Sequence, residues 1–295
     1  MPSSDSLGIM ATAAFPMLYV DVFLACHQAI RNGVLINRQS SRDKEYHFQD
    51  WFNGRLTDLQ AAIPFNFEQP GRNTYPDFRI IQNPEGYEIK GLEYPGRYKD
   101  YDSNSQVPRG YHNGLVVFYV FGRYPKNATS KTYPVYDLVV CHGDFLNTDR
   151  NYLHKNKSFR GFGSYGDILI RDRKMYVAPT PFGLLSGVET QVTLILPVGY
   201  PVDNNRLAVV GQFSRTEVSQ MVVGYSFDMN SNAIEPQFAP NPLAGTVHEF
   251  VAYRPAILQA IGAIGPMVNM RSKNEQEELV AEAEKVTTDD DNEQD

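Results

Sequence analysis

The chain has 295 residues, 42% of them hydrophobic, including 17 Phe and 18 Tyr, so it can bury a sizeable core as one large domain or two modest ones. Cys26 and Cys141 are its only cysteines, which excludes a disulfide framework and a cysteine zinc site and fits a reducing cytosol. The net charge of −7 speaks against a nucleic-acid partner only until it is divided: residues 274–295 carry −9 and residues 1–273 carry +2.

In chain order, residues 11–30 are apolar but interrupted by Pro16, Asp21 and His27, and no basic residue precedes them. They read as a buried first helix, not as a signal peptide or a membrane span. A second helix starts near Ser40, an N-cap residue with Asp43 three positions on. Phe48, Trp51, Phe52, Leu56 and Leu59 recur at helical spacing along it. Glu45 lies one turn before Phe48, at the edge of that stripe. Two roles are open to it: a carboxylate facing a sheet, or a first-turn acid favoured by the helix dipole.

Asn83-Pro84-Glu85-Gly86 then signals a turn between two strand-like runs, 77–81 and 87–92. A turn centred between Pro84 and Glu85 predicts Ile81 opposite Glu88, Arg79 opposite Lys90 and Asp77 opposite Leu92. Asp77, Glu88 and Lys90 then share one face, while Phe78, Ile80, Tyr87 and Ile89 share the core-facing other. Two converging carboxylates invite a hard divalent cation, above all Mg²⁺. A lysine beside them can orient a water or offset charge building on a phosphate. A salt-bridged surface hairpin without chemistry is the plainer alternative.

Pro76-Asp77 followed by Glu88-Ile89-Lys90 resembles the PD-(D/E)XK nuclease motif, and the chain resembles a type II restriction endonuclease over that motif and the helix before it. The resemblance implies an α/β fold with a restriction-endonuclease-like core, a mixed central β-sheet flanked by helices, carrying β-rich additions. It implies that Asp77 and Glu88 bind Mg²⁺, with Glu45 as the helix acid that assists, and that Lys90 positions the attacking water. It further implies a homodimer, a short double-stranded DNA target and a companion DNA methyltransferase. A repair or junction nuclease on the same core, and a DNA-binding protein without catalysis, are the rival readings.

The polar stretch 93–112 reads as a long loop, with Arg97, Lys99, Asn104 and Arg109 available to embrace a duplex, or as a solvated loop with no such use. Residues 115–121 and 135–141 read as buried strands. His142 follows the second and is read as a hydrogen-bonded loop histidine, because no nucleophile partner is evident. Residues 150–174 are the most basic part, with seven Lys or Arg against Asp167 and Asp172. Lys155, Lys157, Arg160, Arg171, Arg173 and Lys174 suit phosphate contacts and guanine edges. Gly161, Gly163 and Gly166 match a dinucleotide motif in spacing only, since a strand-like run, 168–177, follows them where a helix should. Beyond it, 191–196 and 207–213 read as strands, 217–227 is ambiguous and 256–264 looks helical. This half is expected to supply dimer contacts and further DNA recognition. The organisation expected is one nuclease domain over 1–273 and an acidic disordered tail over 274–295.

Overall fold

The computed structural model describes residues 17–38, 44–71, 74–96, 99–103, 108–126, 130–148, 169–171, 174–202, 205–228, 230 and 233–256. In chain order these form α1 (Tyr19–Arg31), β1 (Ile36–Asn37), α2 (Lys44–Ala62), β2 (Phe67–Glu68), β3 (Phe78–Ile80), β4 (Glu85–Tyr94), β5 (Asp100–Ser103), β6 (Tyr111–His112), β7 (Leu115–Pro125), β8 (Thr132–Tyr133) and β9 (Asp137–His142). A 3₁₀ turn (Gly143–Phe145), β10 (Leu169–Arg171), β11 (Lys174–Pro179), α3 (Pro181–Leu184), β12 (Val192–Pro197), β13 (Leu207–Thr216), β14 (Gln220–Asp228), β15 (Ala233–Pro240) and β16 (Val247–Pro255) complete it. The protein is mixed α/β, with one large mixed sheet and few helices. That sheet has nine strands in the order β13-β16-β12-β9-β7-β4-β3-β2, with β6 also on β7. The β4/β7 and β9/β12 pairs are parallel and the others antiparallel. Among the described residues no helix is long and apolar enough to cross a membrane.

Period-2 alternation divides the sheet into two buried faces. Phe78, Tyr87, Ile89, Phe118, Val120, Leu138, Val140 and Leu194 form one core with Phe23 and Cys26 of α1 and Phe48, Phe52 and Leu56 of α2. Tyr119, Phe121, Val139, Cys141, Ile195 and Phe250 form the other, with Tyr101, Ala178 and Phe182. Both long helices therefore lie on one face. Among the described residues the second face is packed by Tyr101 of β5, Ala178 of β11, Phe182 of α3 and Phe145 of the 3₁₀ turn, so the one short turn of α3 is the only helix described there. Strands buried on both faces read as unbroken apolar runs, which is why 115–121 and 135–141 announced themselves. Each fully buried aromatic contributes about 1.5–3 kcal/mol of transfer free energy.

The β3/β4 hairpin differs from the expected register. Phe78 pairs with Tyr87, Arg79 with Gly86 and Ile80 with Glu85, and the turn is 81–84. Tertiary contacts draw Glu85 and Gly86 into the strand. Glu85 is fully buried, accepts the Leu18 amide at 2.8 Å and is bonded by the Tyr87 hydroxyl. A Cβ on Gly86 would overlap the Pro76 ring, so only glycine lets the chain before β3 cross so close. The slip is four residues, an even number, so every side chain keeps its expected face.

Other expectations change as well. Where it is described, the stretch 93–112 contains strands and is not one long loop: β4 runs on to Tyr94, and β5 and β6 follow. Within the run 168–177, β10 and β11 pair antiparallel, with Arg171 opposite Lys174. The ambiguous 217–227 contains β14, which pairs with β15. The helix expected over 256–264 and the acidic tail 274–295 lie outside the described residues, apart from Ala256 itself.

Candidate active site

Asp77 stands immediately before β3, where the chain passes over Gly86. Its Oδ2 accepts the amide of Ile89 at 2.8 Å, so a side chain continues the β3/β4 ladder beyond the last paired residue. Ile89 is the residue between Glu88 and Lys90, and this bond brings the Asp77 carboxylate level with both. Alternation along β4 buries Tyr87 and Ile89 in the helix-side core and turns Glu88 and Lys90 to the opposite face. There the Lys90 ammonium donates to Glu88 Oε1 at 2.9 Å. The two side chains are only 14% and 13% exposed, so their charges meet with little screening by solvent. Glu88 Oε2 is buried and has no hydrogen-bond partner among the described residues.

Three tyrosines wall this site. Tyr75 and Tyr119 share a hydrogen bond of 2.9 Å between their hydroxyls, and Tyr119 lies opposite Glu88 in the β4/β7 pair. Burial pushes the Tyr75 phenol well up, and the negative charge of Glu88 adds to the effect. Tyr119 is raised for the same leading reason, with Tyr75, Tyr101 and Glu88 contributing. The Arg109 guanidinium opposes the shift at Tyr75, so its charge lies near the hydroxyl that also senses Glu88. The Lys90 ammonium lies 5.9 Å from the centre of the Tyr101 ring.

The expected DNA-contacting residues divide as follows. Arg109 sits beside Tyr75, whose hydroxyl also reaches its carbonyl at 3.4 Å. Lys99 is exposed just before β5, and its carbonyl accepts the Thr180 amide at 2.9 Å. Arg171 and Lys174 face each other across β10/β11, with side chains outside the described residues. Arg97, Asn104, Lys155, Lys157, Arg160 and Arg173 also lie outside them. Glu45 falls in the first turn of α2 and its side chain is likewise not described; α2 packs on the face opposite Glu88 and Lys90. His142 is a packed histidine: fully buried, with Nδ1 accepting the Asp144 amide at 3.1 Å and its ring against Phe118 and Tyr200. Glu88 and Lys90 thus form a pair, and Asp77 is bonded to the amide of the residue between them. Tyr75, Tyr101 and Tyr119 escaped sequence reasoning, although Tyr75 adjoins Pro76-Asp77 and Tyr101 alternates with Asp100 and Asp102 as a half-buried strand residue does.

Among the described residues no group of three or more His, Cys, Asp or Glu is set to hold a metal ion. Asp77 and Glu88 offer a pair. Mg²⁺ suits such a pair, because it keeps several waters and is commonly held by one or two carboxylates plus substrate phosphates. The uncommitted, buried Oε2 of Glu88 is the atom that fits it best. No protein-family model matches the chain, and no curated protein is significantly similar to it in sequence.

Proposed function

We propose that this chain is a Mg²⁺-dependent type II restriction endonuclease, hydrolysing phosphodiester bonds at a short site in double-stranded DNA. The observation that carries the reading is the Asp77 carboxylate bonded to the amide between Glu88 and Lys90, with a buried oxygen of Glu88 left uncommitted. Asp77 and Glu88 would hold Mg²⁺; the assisting role expected of Glu45 is not carried over, because α2 packs on the face of the sheet opposite Glu88 and Lys90. Bound there, the ion would supply a Lewis acid and lower the pKa of a bound water. Lys90 would orient the attacking water and offset charge on the phosphate. Arg109 and Lys99 would meet the backbone near the cut, as would Arg97 and Asn104, and the basic residues between Lys155 and Lys174 would grip the duplex further out. The restriction-endonuclease-like core, the homodimer and the companion methyltransferase follow from the motif resemblance.

The test is purified protein on plasmid DNA, with and without Mg²⁺, beside Lys90→Ala. Discrete fragments in Mg²⁺ alone, lost in Lys90→Ala while DNA binding persists, support the proposal. Cutting confined to branched or damaged DNA would move it to a repair or junction nuclease on the same core. Full-speed cleavage by Lys90→Ala would remove Lys90 from the chemistry, and intact plasmid in every condition would leave a DNA-binding protein whose Glu88–Lys90 pair only braces a hairpin.

A further inference from the structure

Lys90 has a second neighbour besides Glu88. The Tyr101 ring lies 5.9 Å from its ammonium, within the range at which a cation is attracted to an aromatic face. Tyr101 is 3% exposed, so little solvent is available to weaken that attraction. Its ring is held edge-on by Phe121 at 5.1 Å and tilted against Tyr119 at 6.3 Å, both from β7, so it has little freedom to follow the lysine. The head group of a long, flexible side chain therefore has both a carboxylate and a fixed ring beside it. The ring does not come from the sheet that carries Lys90. It comes from β5, which pairs with β11, and Tyr101 stands opposite Ala178 there. The hairpin that β11 forms with β10 ends on Arg171 and Lys174. Lys174 is four residues from Ala178 along β11, about 13 Å away at strand rise.

We infer that Tyr101 is a positioning residue: its ring holds the Lys90 ammonium beside Glu88. This rests on the nuclease reading of the site and deepens it. A lysine that must place a water loses rate when its head group wanders, even though it still carries its charge.

The test compares wild type, Tyr101→Leu and Tyr101→Phe by single-turnover cleavage, DNA affinity and NMR of lysine labelled with ¹³C at the ε-carbon. Tyr101→Leu should slow cleavage about tenfold with DNA affinity unchanged, and Tyr101→Phe, which keeps the ring, should recover the rate. The Lys90 ε-methylene protons should resonate upfield, shifted by the ring current, in wild type and Tyr101→Phe but not in Tyr101→Leu. A role in folding alone would move none of these in that pattern. The inference is overturned if wild type lacks the upfield signal, if Tyr101→Phe is as slow as Tyr101→Leu, or if Tyr101→Leu cuts as fast as wild type. Should wild type show the signal yet leave plasmid intact in Mg²⁺, the nuclease reading fails and the role of Tyr101 fails with it. Wild type that cuts beside an equally fast Tyr101→Leu removes Tyr101 alone.

Discussion

Asp77 has one duty the structure shows, the Ile89 bond, and one that the nuclease proposal gives it, metal binding, and substitution can tell them apart. Its Oδ2 satisfies the amide of Ile89, a residue only 2% exposed. Asp77→Ala leaves that donor unpaired in the interior, at a cost of about 1–3 kcal/mol. Asp77→Asn keeps an oxygen in the same place and loses only the charge assistance, so its cost should be about 1 kcal/mol. In the reaction the order collapses. On the nuclease proposal both variants would lose a carboxylate meant to hold the ion, worth several kcal/mol at the transition state, or roughly a thousandfold in rate or more. Urea unfolding, calorimetric titration with Mg²⁺ or Mn²⁺ and plasmid cleavage on the three proteins give the full comparison. The expected pattern is stability in the order wild type, Asn, Ala, with both variants inactive and weak in metal binding. An Ala variant as stable as wild type would refute the role given to the Ile89 bond. An Asn variant that binds metal and cleaves normally would remove Asp77 from the site.

Asp137 and Arg123 form a buried pair across β7/β9, with side chains 0% and 3% exposed and the guanidinium over the Tyr94 and Phe182 rings. Asp137→Asn strands that charge and should cost about 3–5 kcal/mol, read as a lower urea midpoint; a change below 1 kcal/mol would mean the pair is not buried as described. Burial pushes the Glu85 carboxyl from its ordinary 4.5 up to about 7, against the hydrogen bonds from Tyr87 and Leu18 that favour its charged form. Between those values the folded chain holds a proton the unfolded chain has released, so this group favours folding most below about pH 4.5 and that benefit is lost as pH rises toward 7. The melting temperature of wild type relative to Glu85→Gln should therefore fall from pH 5 to pH 8, and parallel curves would refute the assignment. Neutralising Lys155, Lys157 and Arg160 together should flatten the dependence of log K for DNA on log salt by about 0.9 per lost phosphate contact; an unchanged slope would place the duplex elsewhere.

How much of this was legible beforehand depends on whether the signal was local. Glu88 and Lys90 alternate with Tyr87, Ile89 and Gly91, and that period alone assigns the faces. The register was not local. Asn83-Pro84 does sit in the turn, but the strand start is decided by Leu18 and Pro76, contacts that turn chemistry cannot foresee. The β5 strand was hidden for a related reason. Asp100, Tyr101 and Asp102 look like a solvated loop until β11 supplies their hydrogen bonds and Lys90, Tyr119 and Phe121 surround the tyrosine. The basic character of 150–174 was plain, whereas the reversal between Arg171 and Lys174 was not, because the apolar residues on either side read as one strand. The two long helices were the easiest elements, since Phe48, Phe52 and Leu56 mark one face of α2 and all three are fully buried, whereas the short α3 gave no such signal.

Two carboxylates on β4, three residues apart, show why the site belongs on this strand. Glu85 enters the helix-side core and is answered there, one oxygen by the Leu18 amide and the other by the Tyr87 hydroxyl. It behaves as a structural group, linking the strand to the first turn of α1. Glu88 enters the opposite face and is answered only in part, by Lys90 on Oε1. A buried oxygen without a partner costs about 1–3 kcal/mol, a strain that persists only where the surroundings over-determine the conformation. The surroundings of β4 do so. Tyr87 and Ile89 anchor it from one side, ten consecutive residues pair with β7, and Asp77 clamps the amide between Glu88 and Lys90. A loop could not hold such a group in place, and a half-solvated strand would let water satisfy it. A strand held this firmly can keep, among the described residues, an unanswered carboxylate oxygen beside a lysine, and that is the arrangement on which the proposed metal-assisted hydrolysis rests.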